Sequence, residues 1–412
     1  MTEKTDNILT YLRTFRILLP DKSCLNRFSE HFVAQLESSG NPQIENAAVS
    51  AVVVRSFEKR PQSLPVLQGV VLDTRYLDAI ATVIADVLIG YRGELASLVI
   101  FTDLLDRAAL KRRADIAESI YLAVTSGWRP LPNSLPAWNA RIRTLLPRDI
   151  YRLVAAYILA HETSHLLWPT RHVSDSLRQE SELFSKLTAE AATSRYEELM
   201  RTGREDIFNS SQRMLLAAIV GPRQAWWPQL VEEVGAEIFA LKAMLSHGRK
   251  TGVSPPMVVR IFQLIQLISP MLNSVFRSHE SFARYWYLSD SLDGSEVSLA
   301  LGMARSSLRL KSLTFIGERK EDYAPTADTL FRDEFEWREY IVPAFGKASE
   351  LGTTHWLDYE RARTKRERAL IVKVPSEGWA TWERRVDLVG RYLRGLAYLG
   401  TIPKSVIAPD AG

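Results

Sequence analysis

The clearest hydrophobic pattern in the chain lies between residues 149 and 168. Its apolar positions recur at intervals of three and four residues: Ile150, Leu153, Val154, Tyr157 and Ile158. This spacing places them along one face of an α-helix. Asp149 follows Pro147 and is the predicted N-cap, and Pro169 is predicted to stop the helix just after Trp168.

A second stripe predicts a helix over residues 229–245, with Pro228 suiting its start and Gly248 its stop. Its apolar positions are Leu230, Val234, Leu241 and Leu245. Glu233 and Glu237 fall inside this stripe, where carboxylates are costly unless a positive group meets them. Two further charged residues, Glu232 and Lys242, lie off its centre.

The remaining pattern predicts a mainly α (α+β) protein. Two β-branched runs, 45–57 and 66–73, predict strands. Helical spacing covers most of 1–40, 75–126, 174–203, 206–220 and 253–315, and a short strand is predicted at 369–374. We expect N-terminal helices and a small sheet in 1–130, a core in 131–315 with a helical insertion at 170–225, and a mostly helical C-terminal subdomain in 316–412.

Composition indicates the class of protein and the cellular compartment to expect. Of the 412 residues, 46% are hydrophobic and 24% charged, as in soluble globular proteins, and the start has no signal-peptide pattern. The most apolar stretch, 257–276, is broken by four residues and predicts a buried amphipathic helix rather than a membrane span; the four are Arg260, Gln263, Gln266 and Pro270. Cys24 is the only cysteine, which excludes an intrachain disulfide and a thiolate metal site. We expect a cytoplasmic protein without membrane contact.

The net charge of +4 is small for a chain of this length. There are two basic runs, 111–113 and 361–368, and the second is a candidate contact for nucleic acid or an acidic partner. The acidic residues interleaved in and around the second run favour a solvated helix face instead. Nucleic acid is therefore not an expected partner, and the sequence does not indicate an oligomeric state.

The first stripe ends in the motif His161-Glu162-Thr-Ser-His165. Two imidazoles four residues apart on a helix project from one face and can bind one metal ion, and the intervening Glu can reach a water on that ion. Zn²⁺ favours neutral imidazole ligands with one position left for water. The alternative is a core helix with two hydrogen-bonded histidines and an exposed Glu. Glu162 argues against it, since it is flanked by leucines and an alanine.

A catalytic zinc site needs a third protein ligand. In metzincins the motif continues with a further His, but Trp168 and Arg171 occupy the required Gly and His positions, and His172 lies one residue too far along. Glu233 and Glu237 are the better candidates, because a zinc ion and a metal-bound imidazole would meet both carboxylates. The alternative here is a surface helix with ordinary glutamates.

Together, His161-Glu162-x-x-His165 and Glu233-x-x-Ala236-Glu237 resemble the gluzincin metallopeptidases, distantly those related to the CAAX-processing proteases, whose second element reads Glu-x-x-Ala-Asp. The resemblance implies that Glu233 is the third zinc ligand. It also implies that Glu237, in place of Asp, hydrogen-bonds a ligand histidine from behind. It further implies a zincin-like helical core flanked by the small sheet, with inserted helices between the two elements.

A weaker likeness follows the second element. His279 and Arg284 resemble a His and an Arg that help bind substrate or an oxyanion in that family, although the prolines between them are missing here. Tyr285 and Tyr287 are candidate donors to an oxyanion or a substrate. The alternative for His279 is a surface histidine.

These observations predict a zinc-dependent metallopeptidase that uses one Zn²⁺ ion and acts on a protein or peptide substrate. Glu162 is the expected general base for an activated water, with His279 as a further catalytic candidate. Two alternatives stay open: a non-catalytic helical interaction or regulatory protein with a vestigial zinc site, and a zinc hydrolase of non-peptide substrates.

Overall fold

The structure, a computed structural model, describes residues 7–11, 18–20, 25–38, 49–56, 61–90, 92–93, 95–97, 99–100, 103–104, 148–168, 175–201, 227–284, 332–333 and 335–346. Its strands are β1 (Leu18–Pro20), β2 (Ser50–Ser56), β3 (Gln62–Leu64) and β4 (Gly69–Asp73). Its main helices are α1 (Leu25–Ser38), α2 (Thr74–Ile89), α3 (Arg148–Leu167), α4 (Asp175–Arg201), α5 (Trp227–Thr251) and α6 (Pro255–Arg284). The prediction of a mainly α protein with a small β-sheet is confirmed.

The four strands form one sheet in the order β1-β2-β4-β3, so that β1 and β3 are its edges. β2 runs parallel to β4, and each edge strand is antiparallel to its neighbour. Alternate residues point to opposite faces. Val53 and Leu72 join the main core beneath the helices, whereas Val52 and Val71 pack with Ile8 on the other face.

Helix α3 lies at the centre of the fold. It packs against α5, α1, α2 and α6 and crosses strands β3 and β4. Every residue from Leu153 to Ala160 is buried, because apolar side chains cover the full circumference of the helix there. The helix begins at Arg148, so the predicted N-cap Asp149 is in fact its second residue.

Helix α5 is longer than its predicted span, since the prediction that Gly248 stops the helix is wrong. The helix continues to Thr251, and Gly252 adopts a left-handed φ of +77°. The Val253 N–H then donates to the Gly248 carbonyl at 2.9 Å, which caps the helix end. Gly248 is needed for close packing instead, because a Cβ there would lie 2.5 Å from Val258 Cγ2.

Two other predictions need correction. The region 1–40 is not uniformly helical, because Leu18–Pro20 forms an edge strand that pairs with β2. Strand β3 lies outside both predicted strands. The predicted helix at 206–220 and the predicted strand at 369–374 lie outside the described residues.

By length and composition, α6 contains one span that could cross a membrane, Pro255–Asn273, and most of that span is buried inside the protein. The predicted buried helix is therefore present. The segment around residues 335–346 also packs into the main core through Trp337, Ile341 and Phe345. Arg260 of α6 binds Asp333 with two hydrogen bonds of 2.8 Å.

Candidate metal centre

The His161–His165 motif occupies the last two turns of α3, where the helix leaves the core. His161, Glu162 and His165 are all half-buried, whereas the residues just before them are buried. Thr163 and Ser164 are buried on the opposite side of the same turns. The helical period therefore turns the two imidazoles toward one side, as the sequence pattern predicts.

Helix α5 brings its acidic residues against these turns. Glu233 is half-buried and Glu237 is fully buried. The close approach depends on Gly235, because a Cβ there would lie only 2.2 Å from Cζ3 of Trp168, the residue that follows α3. Arg178 of α4 holds this indole in place: its guanidinium lies 5.2 Å from the ring centroid and donates to the Trp168 carbonyl at 2.6 Å.

His161, His165 and Glu233 form a group that could hold a metal ion, with one ligand atom from each residue and all three atoms within 4.8 Å of one another. The two Nε2 atoms lie 3.3 Å apart. Glu233 Oε2 is 3.7 Å from His161 Nε2, and its Oε1 is 3.8 Å from His165 Nε2. Ligand atoms on a tetrahedral zinc ion, each at about 2.0–2.1 Å, lie about 3.3 Å apart. The separation of the two nitrogens matches that value.

Each histidine turns its other ring nitrogen toward a second carboxylate from α5. His165 Nδ1 lies 2.8 Å from Glu232 Oε1, and His161 Nδ1 lies 3.9 Å from Glu237 Oε1. The first distance is a hydrogen bond, and the second is longer than one. His161 Nδ1 is buried and has no hydrogen-bond partner among the described residues. Carboxylates behind metal-binding imidazoles fix the ring tautomer and raise the basicity of the ligand nitrogen.

The facing nitrogens are the best test of whether a metal fits. With a carboxylate beside each Nδ1, the proton of each neutral ring belongs on Nδ1, which leaves a lone pair on each Nε2. Two lone pairs 3.3 Å apart repel unless a cation or a shared proton lies between them. Without a metal, a proton on His165 can be shared with His161 across this distance. The donor set of two imidazoles and one carboxylate also fits a divalent metal ion of the kind that imidazole favours, which would take the place of that proton.

Charge and burial shift two pKa values in the cluster. Burial raises the pKa of Glu162, and the charge of Glu233 raises it further, against the lowering effects of His161, His165 and a hydrogen bond from the Ser63 backbone. Burial lowers the pKa of His165. The hydrogen bond to Glu232 and the charges of Glu233, Glu162 and Glu232 outweigh burial and raise that pKa to about 9. Without a metal, His165 is therefore protonated at neutral pH.

The hydrogen bond from Ser63 shows that edge strand β3 lies beside the motif, and α3 packs against this strand. Among the described residues, β3 pairs only with β4, so it is an edge strand of the sheet. This edge lies beside the end of α3 that carries Glu162.

The structure brings together the predicted ligands His161, His165 and Glu233, with Glu162 and Glu237 beside them. His279 and Arg284 lie in the last turns of α6, and their side chains are outside the described residues, as are Tyr285, Tyr287 and His172. The catalytic role of Glu162 and the roles of His279, Arg284, Tyr285 and Tyr287 in catalysis or substrate binding stay predictions.

Sequence reasoning missed three residues at the centre. Glu232 binds His165, although its position on the helix lies off the apolar stripe. Tyr157 and Gln266 both donate to Glu237 Oε2, each at 2.7 Å. Glu232 could have been suspected because it is adjacent to the candidate ligand Glu233. Tyr157 and Gln266 could have been suspected because they place polar atoms within apolar helical segments.

Comparison of the chain with protein-family models, with curated proteins and with solved structures gives no match. The gluzincin resemblance therefore rests on the motif residues alone.

Proposed function

We propose that this protein is a zinc-dependent hydrolase that cleaves peptide bonds, with His161, His165 and Glu233 as the metal ligands. The observation that carries the proposal is the pair of imidazole Nε2 atoms 3.3 Å apart, each ring backed by a carboxylate and both facing Glu233. Two imidazoles and one carboxylate favour zinc over magnesium or calcium, which prefer oxygen ligands.

A bound zinc ion would supply a Lewis acid that activates water and polarises a carbonyl. Glu162 follows the first ligand directly, and its pKa is raised by burial. A carboxylate with a raised pKa suits proton transfer near neutral pH. In the proposed reaction, Glu162 takes a proton from the attacking water and returns it to the nitrogen of the leaving group.

The edge strand beside the motif supports a peptide as the substrate. An extended peptide can add to a sheet edge through main-chain hydrogen bonds. Among the described residues β3 is such an edge strand, and it lies beside Glu162. A hydrolase of small non-peptide substrates would not need such an edge.

Metal analysis combined with a peptide digest tests this function. We expect purified protein supplied with zinc to hold one ion per chain and to cleave members of a broad peptide library. Glu162→Gln should keep the zinc and lose the cleavage, since it removes the base and no ligand. Full cleavage by Glu162→Gln with zinc bound would show the mechanism to be wrong.

The same experiment separates the alternatives. A wild-type protein that takes up no zinc would indicate an interaction protein with a vestigial site. Stable zinc with no cleavage of any peptide would favour a non-peptide substrate or a non-catalytic role.

A further inference from the structure

We infer that Tyr157 and Gln266 are positioning residues for the metal centre: they hold the Glu237 carboxylate so that its other oxygen faces His161 Nδ1. This inference rests on the proposed metal centre. Both residues act on the centre through Glu237.

Three helices contribute to this arrangement. Tyr157 of α3 donates its hydroxyl hydrogen to Glu237 Oε2 of α5 at 2.7 Å. The Gln266 amide of α6 donates to the same oxygen at 2.7 Å and to the Tyr157 hydroxyl at 3.2 Å. All three donor hydrogens have an acceptor, so the three side chains form a closed triangle of hydrogen bonds.

The orientation of the Gln266 amide shows that its contact with the Glu237 carboxylate outweighs the hydrogen bond that its oxygen lacks. Its Oε1 atom is buried, and no described residue donates a hydrogen bond to it. An unsatisfied buried acceptor costs about 1–3 kcal/mol. Turning the amide over would place an oxygen against the carboxylate of Glu237, which is worse. The carboxylate therefore sets the amide orientation, which is expected for a charged group with 0% exposure.

The triangle acts on one of the two carboxylate oxygens and leaves the other for His161. Glu237 Oε1 lies 3.9 Å from His161 Nδ1, which is buried. A negative charge on this side of the ring favours the tautomer with its proton on Nδ1. That tautomer leaves Nε2 free to bind a metal. The Tyr157 ring also lies one helical turn before His161, with ring centroids 5.8 Å apart, and Tyr157→Phe keeps this ring while it removes the hydroxyl.

The alternative is that Tyr157 and Gln266 merely stabilise the core. The chain offers matched controls for this possibility. Tyr151, on the same helix, also donates its hydroxyl to a carboxylate, Asp78 Oδ1, at 2.7 Å, but away from the centre. Gln263 is another buried glutamine on α6, at 2% exposure.

The test compares Tyr157→Phe with Tyr151→Phe, and Gln266→Leu with Gln263→Leu, in the full chain. The readouts are Zn²⁺ affinity by competition with a chelating indicator, the visible absorption of the Co²⁺-substituted protein, and the thermal midpoint without metal. We expect Tyr157→Phe and Gln266→Leu to weaken Zn²⁺ binding about tenfold. They should also shift the Co²⁺ bands, while the two controls lower only the thermal midpoint.

A double-mutant cycle sharpens the result. Tyr157→Phe should add little to the loss already caused by Glu237→Gln, because both act on the same carboxylate. Wild-type Zn²⁺ affinity and Co²⁺ spectra in Tyr157→Phe and Gln266→Leu would overturn the inference and leave the proposed function standing. A wild-type protein that binds neither ion would overturn both. If the wild-type protein cleaves no peptide but the variants show the expected changes in Zn²⁺ affinity and Co²⁺ spectra, only the proposed function is contradicted.

Discussion

The two candidate ligand histidines, His161 and His165, are one helical turn apart, yet their surroundings differ. Behind His161 lies a buried arrangement in which Glu237 has 0% side-chain exposure and is held by Tyr157 and Gln266. Behind His165 lies a single carboxylate, Glu232, at 2.8 Å and 30% exposed. On the buried side, two neutral donors fix the position of the Glu237 carboxylate behind His161. On the open side, Glu232 makes a short, charge-assisted hydrogen bond that favours a positive charge on His165.

Glu233 joins the two halves, because its oxygens lie 3.7 and 3.8 Å from the two Nε2 atoms. Glu233→Ala should therefore give the largest effect, a loss of Zn²⁺ affinity of about 100-fold or more, beyond the range typical of residues behind the ligands. Zinc titration of the metal-free protein measures it. Glu180→Ala, which removes an exposed ion pair with Lys242 on neighbouring helices, serves as the control. Unchanged affinity in Glu233→Ala would remove this residue from the ligand set.

The next prediction contrasts the two carboxylates behind the histidines. Glu237→Gln should weaken Zn²⁺ binding about 100-fold and Glu232→Gln about tenfold. At the buried position, the new side-chain amide can present its NH₂ group to His161 Nδ1 and so favour the wrong tautomer. At the half-buried position of Glu232, the new amide carbonyl or water can still accept the hydrogen bond from His165. Competition titrations of both variants check the order, and equal losses would contradict the division into a buried and an open half.

The sequence allowed part of this division to be predicted. The helices that carry His161 and Glu233 were found because their apolar residues repeat with a local helical period. The small sheet was found through the β-branched runs of β2 and β4. Edge strands β1 and β3 were missed because three residues are too few to show a period and pairing with a neighbour decides their conformation.

The residues behind the ligands were harder to predict, because their roles depend on how helices are rotated against one another. Glu232 lies off the stripe of its own helix, and only the packing of α5 on α3 brings it to His165. Gln266 was visible as an interruption in an apolar segment, which argued against a membrane span but did not identify a partner. Tyr157 was counted as an apolar position of its helix, and only the structure shows that its hydroxyl donates to Glu237.

The open half should make metal binding depend on pH. The pKa of His165 is raised to about 9, so a proton competes with the metal below that pH. Zn²⁺ affinity should therefore rise about tenfold per pH unit toward pH 9 and then level off. Calorimetric titration in buffers of different ionisation enthalpy should detect about one proton released per ion at neutral pH. Glu232→Gln removes a contribution that raises the pKa and should move the plateau to lower pH.

Protonation of His165 has the opposite effect on the stability of the metal-free fold, which should fall as the pH rises. Because the folded pKa of His165 exceeds its ordinary value of 6.5, protonation stabilises the fold fully below pH 6.5, and this contribution is lost as the pH rises through about 9. Urea unfolding of the metal-free protein across this window should show falling stability. A flat profile, with an unshifted zinc plateau in Glu232→Gln, would contradict the assigned charge.

The smallest effect concerns the spacing of α3 and α5. Gly235→Ala would place a Cβ 2.2 Å from the Trp168 ring and 3.0 Å from Ser181 Oγ. We expect a loss of about 1–3 kcal/mol in unfolding free energy and a several-fold weaker affinity for zinc, since Glu233 would move away from the histidines. Chemical unfolding and zinc titration measure the two effects.

Gly248→Ala is the matched control, because its Cβ would meet Val258 Cγ2 at 2.5 Å on the same helix but far from the cluster. It should destabilise the fold without changing zinc affinity. Equal effects of the two variants on zinc would mean that the close approach at Gly235 does not serve the metal centre.

X-ray absorption spectroscopy of the zinc-loaded protein tests the central claim most directly. The account predicts one zinc ion per chain with two imidazole nitrogens and oxygen ligands at about 2.0–2.1 Å, and the loss of one oxygen ligand in Glu233→Ala. A spectrum without the scattering pattern of two imidazoles, or a wild-type protein that takes up no zinc, would contradict it.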